Sequence, residues 1–146
     1  MNNPFAPQAM NGVNQVPDGD YVDVDFTYVF DTTPTLGFLE LRRDLTVPLH
    51  NDADFVLRAI QYVQPDITQL VIFRLRLSDS QGYYLSNSLV YQGNISNDPS
   101  RPTPIMPEIV FPRGGAIGLD IENTSPATTC LVQILFRGVK RYRVVR

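Results

Sequence analysis

Lysine and glutamate are almost missing from this chain. Lys140 is the only lysine, and Glu40, Glu108 and Glu122 are the only glutamates. Both residue types usually cover the exposed faces of helices, so their scarcity argues against a helical protein. A single cysteine, Cys130, excludes an internal disulfide. Because Cys130 falls on the apolar side of an alternating run, it reads as a small buried hydrophobe. One histidine and one cysteine argue against a zinc site within a single chain. Tryptophan is absent, which removes the strongest stacking platform for sugars. No apolar run approaches the length of a membrane span, and the first fifteen residues hold no secretory apolar core. The expectation is a soluble protein, made in a reducing compartment and without a membrane partner. Under that expectation the triplets at Asn94 and Asn123 are not glycosylation sites.

Twelve prolines and nine glycines are distributed along 146 residues, and 43% of the chain is hydrophobic. That length suits one domain, able to bury roughly two thirds of the surface its unfolded chain exposes. Frequent turn formers with little helix-surface chemistry give an all-β composition.

Residues 1–19 are rich in Asn, Gln, Pro and Gly and show no periodicity, so they read as a flexible N-terminal arm. Residues 20–146 form the folded domain. In its first strand Val22, Val24, Phe26, Tyr28 and Phe30 face one way, and Tyr21, Asp23, Asp25 and Thr27 the other. Leu36 to Leu49 alternates across Arg42-Arg43-Asp44, fitting two short strands or one bulged strand, and Pro48 favours an edge. Strands follow over Phe55–Val63 and within Ile67–Leu77, where Val71, Phe73, Leu75 and Leu77 alternate with Ile72, Arg74 and Arg76. Asp79 to Gly82 reads as a hairpin turn, with Tyr83–Tyr91 returning. Gly93 to Pro107 reads as a long, proline-stiffened loop, and Glu108–Phe111 as a short strand stopped by Pro112. About eight antiparallel strands without a helix predict a β-sandwich of the jelly-roll type.

The last third carries the strongest pattern. Ile117, Leu119 and Ile121 alternate with Gly118, Asp120 and Glu122, and Cys130, Val132, Ile134 and Phe136 share a second apolar face. With turn formers between them, the pair reads as a hairpin that runs into a basic tail. Phe136 is expected inside and Arg137 outside. Arg137, Lys140, Arg141, Arg143 and Arg146 lie in the last ten positions, which hold no acid. The remaining body has seven basic against fifteen acidic residues, giving −8 for the body and +5 for the tail. Such a tail can fold onto its own body, dock on an acidic protein or touch nucleic acid. Nucleic acid is disfavoured, since the acidic body repels phosphate.

Little in the chain carries chemistry. His50 sits in a turn beside Asn51 and Asp52, and no serine occupies a nucleophile motif. It reads as a solvated turn residue. Asp18, Asp20, Asp23 and Asp25 form the one local acidic cluster, but an EF-hand loop starting at Asp18 would place Val29 where calcium needs a glutamate. No catalytic, cofactor-binding or metal-ligating residue is assigned. The basic residues are instead nearly all arginine, which suits interfacial pairing with carboxylates. The tail cations above, with Arg101 and Arg113, are the candidate partner-binding residues.

Four runs carry a resemblance: Asp52-Ala-Asp-Phe-Val-Leu-Arg58, Phe73-Arg-Leu-Arg-Leu-Ser-Asp-Ser-Gln-Gly82, Phe111-Pro-Arg-Gly-Gly115 and Phe136-Arg-Gly-Val-Lys-Arg-Tyr142. Covering most of residues 50–143, they resemble small virion proteins of tailed bacteriophages, and within these the jelly-roll capsid cement or decoration proteins. The resemblance implies a non-enzymatic protein made in the host cytoplasm and bound to the outside of the capsid. Its implied partners are the major capsid protein and further copies of itself, as a dimer or trimer. Two other readings fit the same features. One is a neck, tail or fibre-base adaptor, and the other a carbohydrate-binding sandwich using exposed tyrosines such as Tyr21, Tyr83 or Tyr84.

Overall fold

A computed structural model describes residues 20–66, 68, 70–95 and 101–144. The arm expected over residues 1–19 lies outside the described residues, as does Arg146. Eight strands run in chain order as β1 (Tyr21–Asp31), β2 (Leu41–Pro48), β3 (Asp54–Val63), β4 (Phe73–Ser78), β5 (Val90–Tyr91), β6 (Thr103–Phe111), β7 (Ala116–Asn123) and β8 (Gln133–Arg143). They form two antiparallel sheets, ordered β1-β8-β3-β6 and β2-β7-β4-β5. Apart from β4 to β5, every connection crosses between sheets. That winding makes the β-sandwich a jelly roll.

The core lies between the sheets and follows the alternation of the sequence. Phe55, Phe111, Ile134 and Phe136 from the first sheet meet Phe73, Leu75, Ile117 and Ile121 from the second, all nearly or fully buried. Each such side chain contributes about 1.5–3 kcal/mol on burial. Edge-to-face ring pairs add specificity, with Tyr28 and Phe55 centroids 4.8 Å apart and those of Tyr62 and Phe73 5.1 Å apart. Cys130 and Val132 precede β8 but are fully buried, and Cys130 bridges Leu36.

Prolines blunt the sheet edges, at Pro48 as expected and also within β6, where a loop was expected. Pro48 ends β2, an edge strand with a bulge between Arg42 and Leu45. β6, another edge strand, contains Pro104 and Pro107. A bulge in β3 pushes Arg58 out of register between Leu57 and Ala59. Opposite it, Gly138 lets β8 approach closely: a Cβ there would stand 1.9 Å from the Val56 carbonyl oxygen.

Several expectations are corrected. β7 and β8 do not form a hairpin, because they belong to opposite sheets. Residues 124–132 separate them, more than a tight hairpin turn uses. The basic tail is not a tail either, since through Arg143 it is the second half of central strand β8. The strand expected over Tyr83–Tyr91 is reduced to Val90–Tyr91, preceded by an isolated Ser78–Tyr84 bridge. One helical turn, α1 (Gln92–Ile95), occurs where no helix was expected. The long loop ends earlier than predicted, with β6 beginning at Thr103. Val22 and Val24 are half exposed although they share a face with buried Tyr28, and the His50 ring packs further along β1, on Phe26 and Tyr28.

Candidate functional site

The sites to test are the predicted basic residues, and the ladder decides what each can touch. On β8 the odd-numbered side chains point away from the core, and Arg141 stands opposite Asp23 on β1 and Asp54 on β3. Its guanidinium grips the Asp23 carboxylate with two hydrogen bonds of 2.8 and 2.9 Å. Arg58, displaced outward by the bulge, pairs with Glu108 and lies 3.6 Å from Asp23. The Arg141 guanidinium holds the Asp23 carboxyl below its ordinary value, helped by Arg58. Asp23 in turn raises Arg141. Arg113 donates its backbone N–H to Asp54 at 2.9 Å and brings its guanidinium to 3.7 Å. Asp54 thus holds Arg113 at the end of the sheet where Arg141 is bound to Asp23.

Lys140 lies on the other face of β8. Its side chain is buried, with the ammonium 4.1 Å from the Phe26 ring centroid. The ammonium donates to both Asp52 oxygens at 3.0 and 3.1 Å, and to His50 Nδ1 at 2.7 Å. With the ammonium as donor, Nδ1 is the acceptor and the remaining imidazole proton belongs on Nε2. Tyr142 donates its hydroxyl to Asp52 Oδ2 at 2.7 Å. That bond, then the ammonium, lowers the Asp52 pKa, and the same bond raises Tyr142. Tyr28 closes the cluster by accepting the His50 backbone N–H at 2.9 Å. His50 is therefore a bonded member of the cluster rather than a merely solvated turn residue.

Arg137 is exposed, as expected, beside fully buried Phe136; its Nη1 donates to Gln61 Oε1 at 3.1 Å. Pro102 lines the same shallow groove as Arg137, Arg58 and Asp25, which puts neighbouring Arg101 close to it. Arg143 is exposed at the end of β8, opposite Tyr21. Of the predicted cations, Lys140, Arg141 and Arg113 thus meet carboxylates of their own chain, while Arg137 and Arg143 are held on the surface without one among the described residues.

The outer face of the second sheet repeats this economy. Arg74 pairs with Glu122 and Arg76 with Asp120, each directly across the ladder from its partner. Asp120, which alternates with the core residues Leu119 and Ile121, is itself buried, and its other oxygen accepts the Asp44 N–H at 2.9 Å, pinning the β2 bulge. The Arg76 guanidinium covers the Tyr84 ring at 3.5 Å, and Arg74 approaches Tyr91 at 5.6 Å. Tyr83 is the more open of the turn tyrosines.

Sequence reasoning missed the Lys140–His50–Asp52–Tyr142 cluster. Its bonds join His50 and Asp52 to Lys140 and Tyr142 across 88 to 90 positions, so no local spacing betrays it. Among the described residues no group of three or more His, Cys, Asp or Glu side chains could hold a metal ion, and no helix is long and apolar enough to cross a membrane. What the face offers chemically is mutual neutralisation of charge on a stiff sheet.

No family model, curated protein or solved structure matches this chain.

Proposed function

We propose that this protein is a non-enzymatic structural component of a virus particle, bound to the outside of a phage capsid and cementing neighbouring major capsid subunits. The observation that carries the reading is the winding of the eight strands, since jelly rolls are a recurrent architecture of capsid proteins. Two further features support it. Cross-strand ion pairs and blunted edges make a stiff body that resists chance pairing with other sheets. Arg137 and Arg143 are left on the first sheet's outer face, where a carboxylate of a neighbouring subunit can bond them. Repetition over many identical sites turns weak contacts into firm attachment.

The test is addition of purified protein to shells that lack it. Binding in a copy number on the order of hundreds per particle, with greater resistance to heat, is the expected result. A count of about a dozen or fewer would favour a neck, tail or fibre-base position. Failure to bind, or unchanged heat resistance, overturns the reading. A glycan-binding role is less well supported, because Arg76 already occupies one face of Tyr84.

A further inference from the structure

The four sheet edges are not equally closed. Pro48 and a bulge interrupt β2, Pro104, Pro107 and a register shift interrupt β6, and β5 is only two residues long. β1 is the remaining edge strand. It has eleven residues, no proline, and an unbroken register with β8 from Tyr21 to Asp31.

The phase of that ladder fixes which backbone groups are free. Asp20 O accepts the Val144 N–H at 2.7 Å beyond one end, and Thr32 N–H donates to Val132 O at 3.1 Å beyond the other. Opposed residues in an antiparallel pair alternate between bonded and non-bonded, so the even-numbered residues of β1 bond β8. Tyr21, Asp23, Asp25, Thr27 and Val29 therefore turn N–H and C=O towards the open edge, where no backbone group among the described residues meets them. Asp31 ends the row, since its carbonyl accepts the Thr33 N–H at 3.0 Å. A row of donors and acceptors at strand spacing selects one kind of occupant, an extended peptide backbone.

The side chains of β1 specify the sequence of that peptide. An added strand stands about 4.8 Å from β1 and about twice that from β8, so its side chains pair with those of β1. Tyr21–Asp31 contains three acids and no Lys, Arg or His. Asp23 is bound by Arg141, and Asp31 accepts from Gln133 Nε2 at 3.0 Å. Asp25, in the middle of the open row, is exposed and has no hydrogen bond or ion pair among the described residues. Arg58 and Arg137 line the groove behind it but are engaged with Glu108 and Gln61. A cation on the added strand supplies the partner that Asp25 lacks. On the opposite face of β1, Val22 and Val24 are 49% and 48% exposed, and apolar side chains of the added strand would cover them.

Other occupants answer this edge less well. A second β1 would set two acidic strands side by side. Residues 1–19 of the chain contain no lysine or arginine to meet Asp25. Nucleic acid and anionic lipid offer phosphate to an acidic strand, and neither offers a peptide ladder.

We propose that the open edge of β1 is a docking site for an extended segment of a partner protein, alternating basic with apolar residues and added beside β1. The site uses neither Arg137 nor Arg143, and it is tested without capsids, so it stands or falls apart from the cement reading.

The probe is a peptide of about nine residues alternating arginine with valine, long enough to cover the open row, titrated into the full chain by fluorescence anisotropy. Controls carry glutamate in place of arginine, or the same residues in two blocks that destroy the alternation. Amide hydrogen exchange, read by NMR, locates the contact. The arginine–valine peptide should bind and slow exchange at Asp23, Asp25 and Thr27, whereas the glutamate peptide should bind on the order of tenfold more weakly. Asp25→Lys should reverse that preference. Thr27→Pro should keep the fold, because the Thr27 N–H faces away from β8, yet abolish binding. The proposal is overturned by no binding, by equal binding of the three peptides, or by binding that leaves those amides unprotected. A preference that Asp25→Lys leaves unchanged also overturns it. If these amides are already protected in the free protein, the edge is filled by the chain itself, or by a second copy where protection grows with protein concentration, and the proposal fails.

Discussion

Lys140 Nζ stands 2.7 Å from His50 Nδ1, joining the only lysine of the chain to its only histidine. The ammonium is buried and the imidazole exposed, so the lysine depends on its neighbours for the hydrogen bonds that water would otherwise supply.

Removing the charge and removing its partner should therefore differ. Lys140→Met replaces the stem over Phe26 and leaves no buried cation, whereas Asp52→Asn leaves the ammonium without its carboxylate. Thermal unfolding should show a larger loss for Asp52→Asn than for Lys140→Met. The opposite order would mean that the ammonium is adequately hydrated.

Acid should weaken the fold through Asp23 and Asp52. Both carboxyls are held below their ordinary value of 3.8, Asp23 by Arg141 and Asp52 by Tyr142 and Lys140. Their contribution is present above pH 3.8 and is lost as pH falls through the lower folded-state values. Denaturant midpoints measured from neutral pH downward should hold until that range and then drop. Asp23→Asn should start lower and drop less steeply.

Cys130 should resist modification. Burial pushes its thiol up to about 11 and removes it from solvent. At pH 8 a thiol reagent should label the native chain only as fast as it unfolds, and label denatured chain at once. Because the folded-state value is raised, this group's contribution is intact below its ordinary value of 9.0 and is lost as pH rises towards 11.

Gly138→Ala should be among the most damaging small changes. Its Cβ would stand 1.9 Å from the Val56 carbonyl oxygen, which belongs to the backbone of the neighbouring strand. A loss of about 3 kcal/mol or more is expected from chemical denaturation. Gly118→Ala meets Ser78 Oγ at 2.0 Å, but that atom is the end of a small side chain. Its cost should be smaller and largely recovered by adding Ser78→Ala.

How far the chain could be read depended on the range of each interaction. Phe136 inside and Arg137 outside follow from alternation alone, and Pro48 at an edge follows from its missing N–H. The fate of the basic residues did not follow. Arg141 looked available until the ladder set it opposite Asp23, 118 positions away. The meeting of loops was equally hidden, since three crossings bring Leu39, Ile72 and Ser125 together from distant parts of the chain.

Composition and period-two patterning, then, determined the all-β class, most strand positions and the residues of the core, because side-chain direction along a strand is a local property. Only the tertiary structure decided which strands are neighbours. A polar turn between two alternating runs serves equally well for a hairpin and for a crossing to the opposite sheet. The apparent hairpin of β7 and β8 became a crossing, and its basic tail a central strand, because pairing depends on backbone hydrogen bonds that every strand offers alike.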